Sequence, residues 1–147
     1  MLRALPLLLA VAVLAGCGGG GGGDALTREQ YAQKADAVCT KYKNKTDDLG
    51  NPANLSDLAD VADKVIPILH DARNELRQLK PPANEEGTAD DWLDEFDVII
   101  DDVEKIRDKA RDNDTAAVRR LAQPALEHDQ KANDLATRLG MTVCNKD

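Results

Sequence analysis

Leu55, Leu58, Ala62, Val65, Leu69, Ala72, Leu76 and Leu79 follow one another at alternating steps of three and four residues, and Pro81-Pro82 ends the run. That spacing holds apolar side chains on one face of an α-helix and is incompatible with the period of two that a strand needs. Three more stretches carry the same period. The first begins at Thr27-Arg28-Glu29-Gln30, a capping-box pattern, and aligns Tyr31, Ala35, Val38, Tyr42, Thr46 and Leu49. The third starts from a Thr88 cap and aligns Trp92, Phe96, Ile99, Val103, Ile106 and Ala110. The fourth opens at Asp114-Thr115, aligns Val118, Leu121, Ala125, His128, Ala132, Leu135 and Leu139, and stops at Gly140. Short connections make neighbouring helices antiparallel, so the expected fold is all-α, an up-down-up-down four-helix bundle with helices of roughly 22 residues. Pro67 and Pro124 fall inside two of these segments. The apolar register continues on both sides of each, which predicts kinked rather than broken helices.

A chain of 147 residues suits one domain. With only four aromatic residues (Tyr31, Tyr42, Trp92 and Phe96), the core must be built from Leu, Ile, Val and Ala. Nineteen basic against 27 acidic side chains give a formal charge of -8, which argues against nucleic acid and against an anionic membrane face as partners.

The amino terminus reads as an address. Arg3, an apolar run and a small-residue end over residues 1–16 have the layout of a secretory signal, too short for a permanent span. The run closes on Leu14-Ala15-Gly16-Cys17, which resembles the bacterial lipobox, in which the cysteine is acylated and becomes the first mature residue. Six glycines follow, as in a tether behind a lipid anchor. The expected organisation is therefore a signal over residues 1–16, a lipidated Cys17 and Gly-rich tether over 17–25, and the bundle over 26–147. Lipidation would also resolve the odd cysteine count. Cys39 and Cys144 then remain near the two ends of the body in an oxidising compartment, where one disulfide is the economical assignment. No CxxC or His-rich set supports a zinc site instead.

Three further motifs, Ala35-Asp36-Ala37-Val38-Cys39, the stop from Leu76 to Pro82 and the terminal Leu139-Gly140-Met141-Thr142-Val143-Cys144, make nearly the whole mature chain resemble small lipobox-bearing lipoproteins of actinobacteria and their relatives. That group is of unknown function. The resemblance implies a helical, disulfide-stapled body on the extracytoplasmic side of the cell membrane, and carries no activity, cofactor or catalytic residue with it.

Chemistry has few footholds. Ten acidic residues and no basic one lie between Glu85 and Glu104, and Asp90, Asp94, Asp97, Asp101 and Glu104 share one ridge of the third helix. The plainer expectation is a solvated face. The alternative is a site for divalent cations or a small cationic ligand at Asp90, Asp94, Asp97 and Asp101, of weak affinity because a straight helix displays its carboxylates in a row. His128 sits in an apolar stripe, where Tyr42 of the first helix is the expected hydrogen-bond partner. A haem is unsupported, with no CxxCH, and a di-iron site lacks its Glu-x-x-His pairs before His70 and His128. Nucleophile elbows and phosphate-binding glycine loops are missing too. The functional expectation is a membrane-anchored, non-enzymatic envelope module, without metal or cofactor, that contacts another envelope protein.

Overall fold

The computed structural model describes residues 25–146. The signal, Cys17 and almost all of the tether lie outside the described residues. Four helices follow in order: α1 (Arg28–Asp47), α2 (Leu55–Leu76), α3 (Glu86–Arg111) and α4 (Thr115–Arg138). They form an all-α four-helix bundle, with no strand among the described residues.

Local chemistry explains most of the boundaries. Thr27 and Gln30 form the reciprocal capping box at the start of α1. Asn54 caps α2 by accepting from the Asp57 N–H, and Asp114 caps α4 by accepting from the Ala117 N–H at 2.9 Å. Two helices end in Schellman motifs. After α3, Asn113 takes a left-handed φ of 57°, while its N–H donates to the Ala110 carbonyl and that of Asp114 to Lys109. After α4, Gly140 at φ 84° plays the same part, with the Gly140 N–H donating to Thr137 and the Met141 N–H to Ala136. Both α2 and α4 run through their prolines, Pro67 and Pro124.

Thr88 does not cap α3. The helix begins at Glu86 after a turn closed by the Glu85 N–H on the Pro82 carbonyl, and Glu85 offers no side-chain cap. That turn starts the helix before Thr88, which becomes a first-turn residue. Leu79 and Leu49 likewise fall in the turns after α2 and α1 rather than inside them.

The bundle is uneven along its length. Its main core draws Tyr31, Ala35, Val38 and Tyr42 from α1, Ala72 and Leu76 from the end of α2, Ala89, Trp92 and Leu93 from the start of α3, and Ala132, Leu135 and Ala136 from the end of α4. Thr46, at the end of α1, borders the same cavity as Leu69, fourteen residues into α2. At 1.5 Å per residue, about 20 Å of α2 therefore lies beyond the reach of α1. In that half α2, α3 and α4 pack as a three-helix layer through Ala59, Ala62, Ile66, Ile100, Ala110 and Ala117. The bulky stripe residues Leu58, Val65, Val103, Ile106, Val118 and Leu121 are only half-buried there. Small residues at the contacts let the helices approach closely, and with no fourth helix overhead the larger side chains stay at the margins.

Candidate functional site

The last residues determine how the site is built. Beyond Gly140 the chain turns back over α1, where Met141 is buried and Cys144 reaches Cys39 in a disulfide that links residues 105 apart. Asp36, one turn before Cys39, holds this tail. Its carboxylate accepts the N–H groups of Thr142, Val143 and Cys144, the shortest of these contacts being 2.9 Å, and the Thr142 hydroxyl at 3.0 Å. Partial burial pushes the Asp36 carboxyl up, but these donors more than reverse it and hold the group below its ordinary value.

Between α1, the tail and the facing helices lies a cavity of about 250 Å³. Its walls are Tyr42 and Thr46 of α1, Leu69, Ala72 and Leu76 of α2, Trp92, Phe96 and Ile99 of α3, Ala132 of α4, and Val143 with the disulfide. Trp92 stands edge-on to Phe96, with ring centroids 6.4 Å apart. Lys43 and Lys146 are the exposed lining residues and mark the mouth, beside the half-buried Asp129 and Asn133. Two features keep the space from closing. The tail is fixed by the disulfide and Asp36, and the α1 side chains facing inward past Val38 are an aromatic and a threonine rather than large aliphatics.

Tyr42 does not reach His128, as its position on α1 had suggested. Its hydroxyl donates to Glu75 at 2.9 Å, and Lys41 binds the same carboxylate at 2.6 Å. Hydrogen bonds from Lys41 and Tyr42 hold the Glu75 carboxyl below its usual range. His128 lies instead on the flank of α4 that faces α3, its Nδ1 2.7 Å from Oδ2 of the buried Asp102. One turn further along the same interface, Lys131 binds the buried Glu95.

These pairs place the acidic run. α3 is the central helix, packed on α2 and on α4, and its carboxylates divide between those neighbours. Asp97 is clasped by Arg73 Nε at 2.5 Å and Arg77 Nη2 at 2.7 Å, and Arg77 also lies 3.8 Å from Asp94. Burial pushes the Asp97 carboxyl up, and the two guanidiniums overcome that and hold it below the usual carboxylate range. Asp101 pairs with Lys105 at 2.5 Å, and Asp90 is exposed. Of the ridge, Asp97 is half-buried against the basic flank of α2, while Asp90, Asp94 and Asp101 are exposed. No group of three or more His, Cys, Asp or Glu side chains is placed to hold a metal ion among the described residues. No described helix is long and apolar enough to cross a membrane.

Comparison with protein-family models, with curated proteins and with solved structures finds no match to this chain.

Proposed function

We propose that the protein is an exported lipoprotein, anchored through acylated Cys17 on the extracytoplasmic face of a bacterial cell membrane, whose bundle is a non-enzymatic interaction module for another envelope component. The observation that carries this reading is the pairing of Cys39 with Cys144. It leaves Cys17 as the one cysteine outside the disulfide, at the end of a signal-like run and in front of a glycine tether. A disulfide closing most of the body suits an oxidising compartment. Several acyl chains on one residue, each methylene contributing about 0.8 kcal/mol on burial, would make attachment effectively permanent.

Metabolic labelling with an alkyne palmitate analogue in a bacterial host tests the anchor. The wild-type chain is expected to carry the label and to fractionate with membranes, and Cys17→Ala is expected to lose both. An unlabelled wild-type product in the cytoplasm would refute the reading.

A further inference from the structure

We propose that the cavity between α1 and the rest of the bundle binds an uncharged, mainly aliphatic molecule of about ten non-hydrogen atoms. The size follows from volume. An apolar protein cavity of about 150 Å³ accommodates benzene, with its six heavy atoms, so about 250 Å³ accommodates roughly ten. The apolar character follows from Leu69, Phe96 and Ile99, which belong to the inward stripes of α2 and α3 yet stay only half-buried, because no side chain fills the space they line. An occupant there removes their surface from water. Its neutrality follows from the mouth, where each charged lining group is already matched. Lys43 pairs with Asp47 at 3.2 Å, and the Asp129 carboxylate stands beside Lys146 and accepts from Asn133 at 3.1 Å. The hydroxyls of the wall are engaged as well, that of Tyr42 with Glu75 and that of Thr46 with the Lys43 carbonyl, both at 2.9 Å. An ion entering this space would give up hydration and gain no counter-charge. The site is also preorganised, because the wall formed by Val143 and the disulfide is fixed to α1 through Asp36. This inference is independent of the anchor, since a chain without lipid carries the same cavity.

Trp92 is the only tryptophan of the chain and lines the cavity, so its emission reports occupancy directly. The experiment titrates 1-nonanol into the full chain carrying Cys17→Ser, with nonanoate and nonylammonium as charged comparators of the same chain length. A saturable change in Trp92 emission is expected with the alcohol, and binding several-fold weaker with either ion. Affinity is expected to rise about fourfold per methylene from 1-hexanol to 1-nonanol, the increment for a methylene leaving water. Ala132→Leu fills the interior and should weaken 1-nonanol at least tenfold. Thr46→Phe narrows the mouth from the last turn of α1 and should weaken it several-fold, so the proposal remains testable if Ala132→Leu does not fold. Asp129→Asn leaves Lys146 unmatched and should strengthen nonanoate several-fold while leaving 1-nonanol unchanged. No saturable change with 1-nonanol, an ion that binds as tightly as the alcohol, or unaltered affinity in a folded Ala132→Leu or Thr46→Phe protein would overturn the proposal. So would nonanoate binding unmoved by Asp129→Asn. Binding of 1-nonanol to the Cys17→Ser chain but not to the lipidated wild type would overturn it too, because the occupant would then be the protein's own acyl chain.

Discussion

Asp36 offers the most informative perturbation of the body. Its carboxylate accepts three consecutive backbone N–H groups and a hydroxyl from the tail, at 2.9 to 3.1 Å. Hydrogen bonds to a charged group each contribute roughly 1.5–3 kcal/mol. These four act as one unit in a partly solvated place, so Asp36→Ala is expected to cost about 3 kcal/mol in total rather than their sum. For a domain of this size that corresponds to a fall of about 12 °C in the thermal midpoint. The pH dependence gives a second, independent readout. The folded carboxyl titrates below the unfolded one, whose pKa is about 3.9. Its contribution is therefore complete above the unfolded value and is lost as pH falls through the folded value. Wild type and Asp36→Ala should differ fully at pH 7 and converge once the pH has fallen below the folded value. Thermal melts by circular dichroism across this range, with the disulfide intact, make the comparison. A midpoint change under about 3 °C at pH 7, or a difference that persists undiminished at low pH, would refute the role of Asp36 as the clamp of the tail.

Other expectations follow from single contacts. Replacing Cys39 and Cys144 by Ala should cost about 4–5 kcal/mol in urea unfolding, because the bridge closes a loop of about one hundred residues; a change under 1 kcal/mol would contradict that. His128→Leu should destabilise by about 1–3 kcal/mol, since the buried Asp102 loses its 2.7 Å partner; unchanged or raised stability would contradict the pairing. The Tyr31 hydroxyl is buried without a hydrogen-bond partner among the described residues, and burial, with the Asp90 charge, pushes its pKa up to about 12. Tyr31→Phe should therefore be neutral or stabilising by about 1 kcal/mol at pH 7. It should also remove part of the stability lost above pH 10, where the unfolded phenol ionises before the folded one; a loss of 2 kcal/mol at pH 7 would argue that the hydroxyl is bonded.

The helices were legible because their signals are local. Thr27 with Gln30, Asp114, and Gly140 act on backbone groups within a few residues, and a stripe of eight apolar positions can be satisfied only by a helix. The disulfide was legible by elimination, from the number and position of the cysteines. What could not be read were contacts set by the relative reach of the helices. Tyr42 is the expected partner of His128 if α1 and α4 align antiparallel with the two residues at a similar level, but α1 covers only part of the bundle, and Tyr42 meets Glu75 instead. Asp90, Asp94 and Asp101 of the acidic ridge are exposed, as expected of a solvated face, but the setting of Asp97 depends on where α3 sits. Its central position brings Arg73 and Arg77 onto Asp97, an arrangement that no spacing within α3 discloses. Asp36 gave no signal of its own. An aspartate in the first half of a helix is ordinary until a tail more than one hundred residues away lays three N–H groups against it. The cavity escaped notice for a similar reason, since Ala72 and Ala132 read as good core residues and the space they line is bounded by the distant tail.

The central claim is a division of labour among three cysteines, and the intact mass of the protein extracted from membranes without reductant tests it in one step. The expected species begins at Cys17, carries the added mass of a diacylglyceryl group at that residue, and weighs two hydrogens less than its reduced form. A product that still begins at Met1, with three thiols open to alkylation, would contradict both the anchor and the staple.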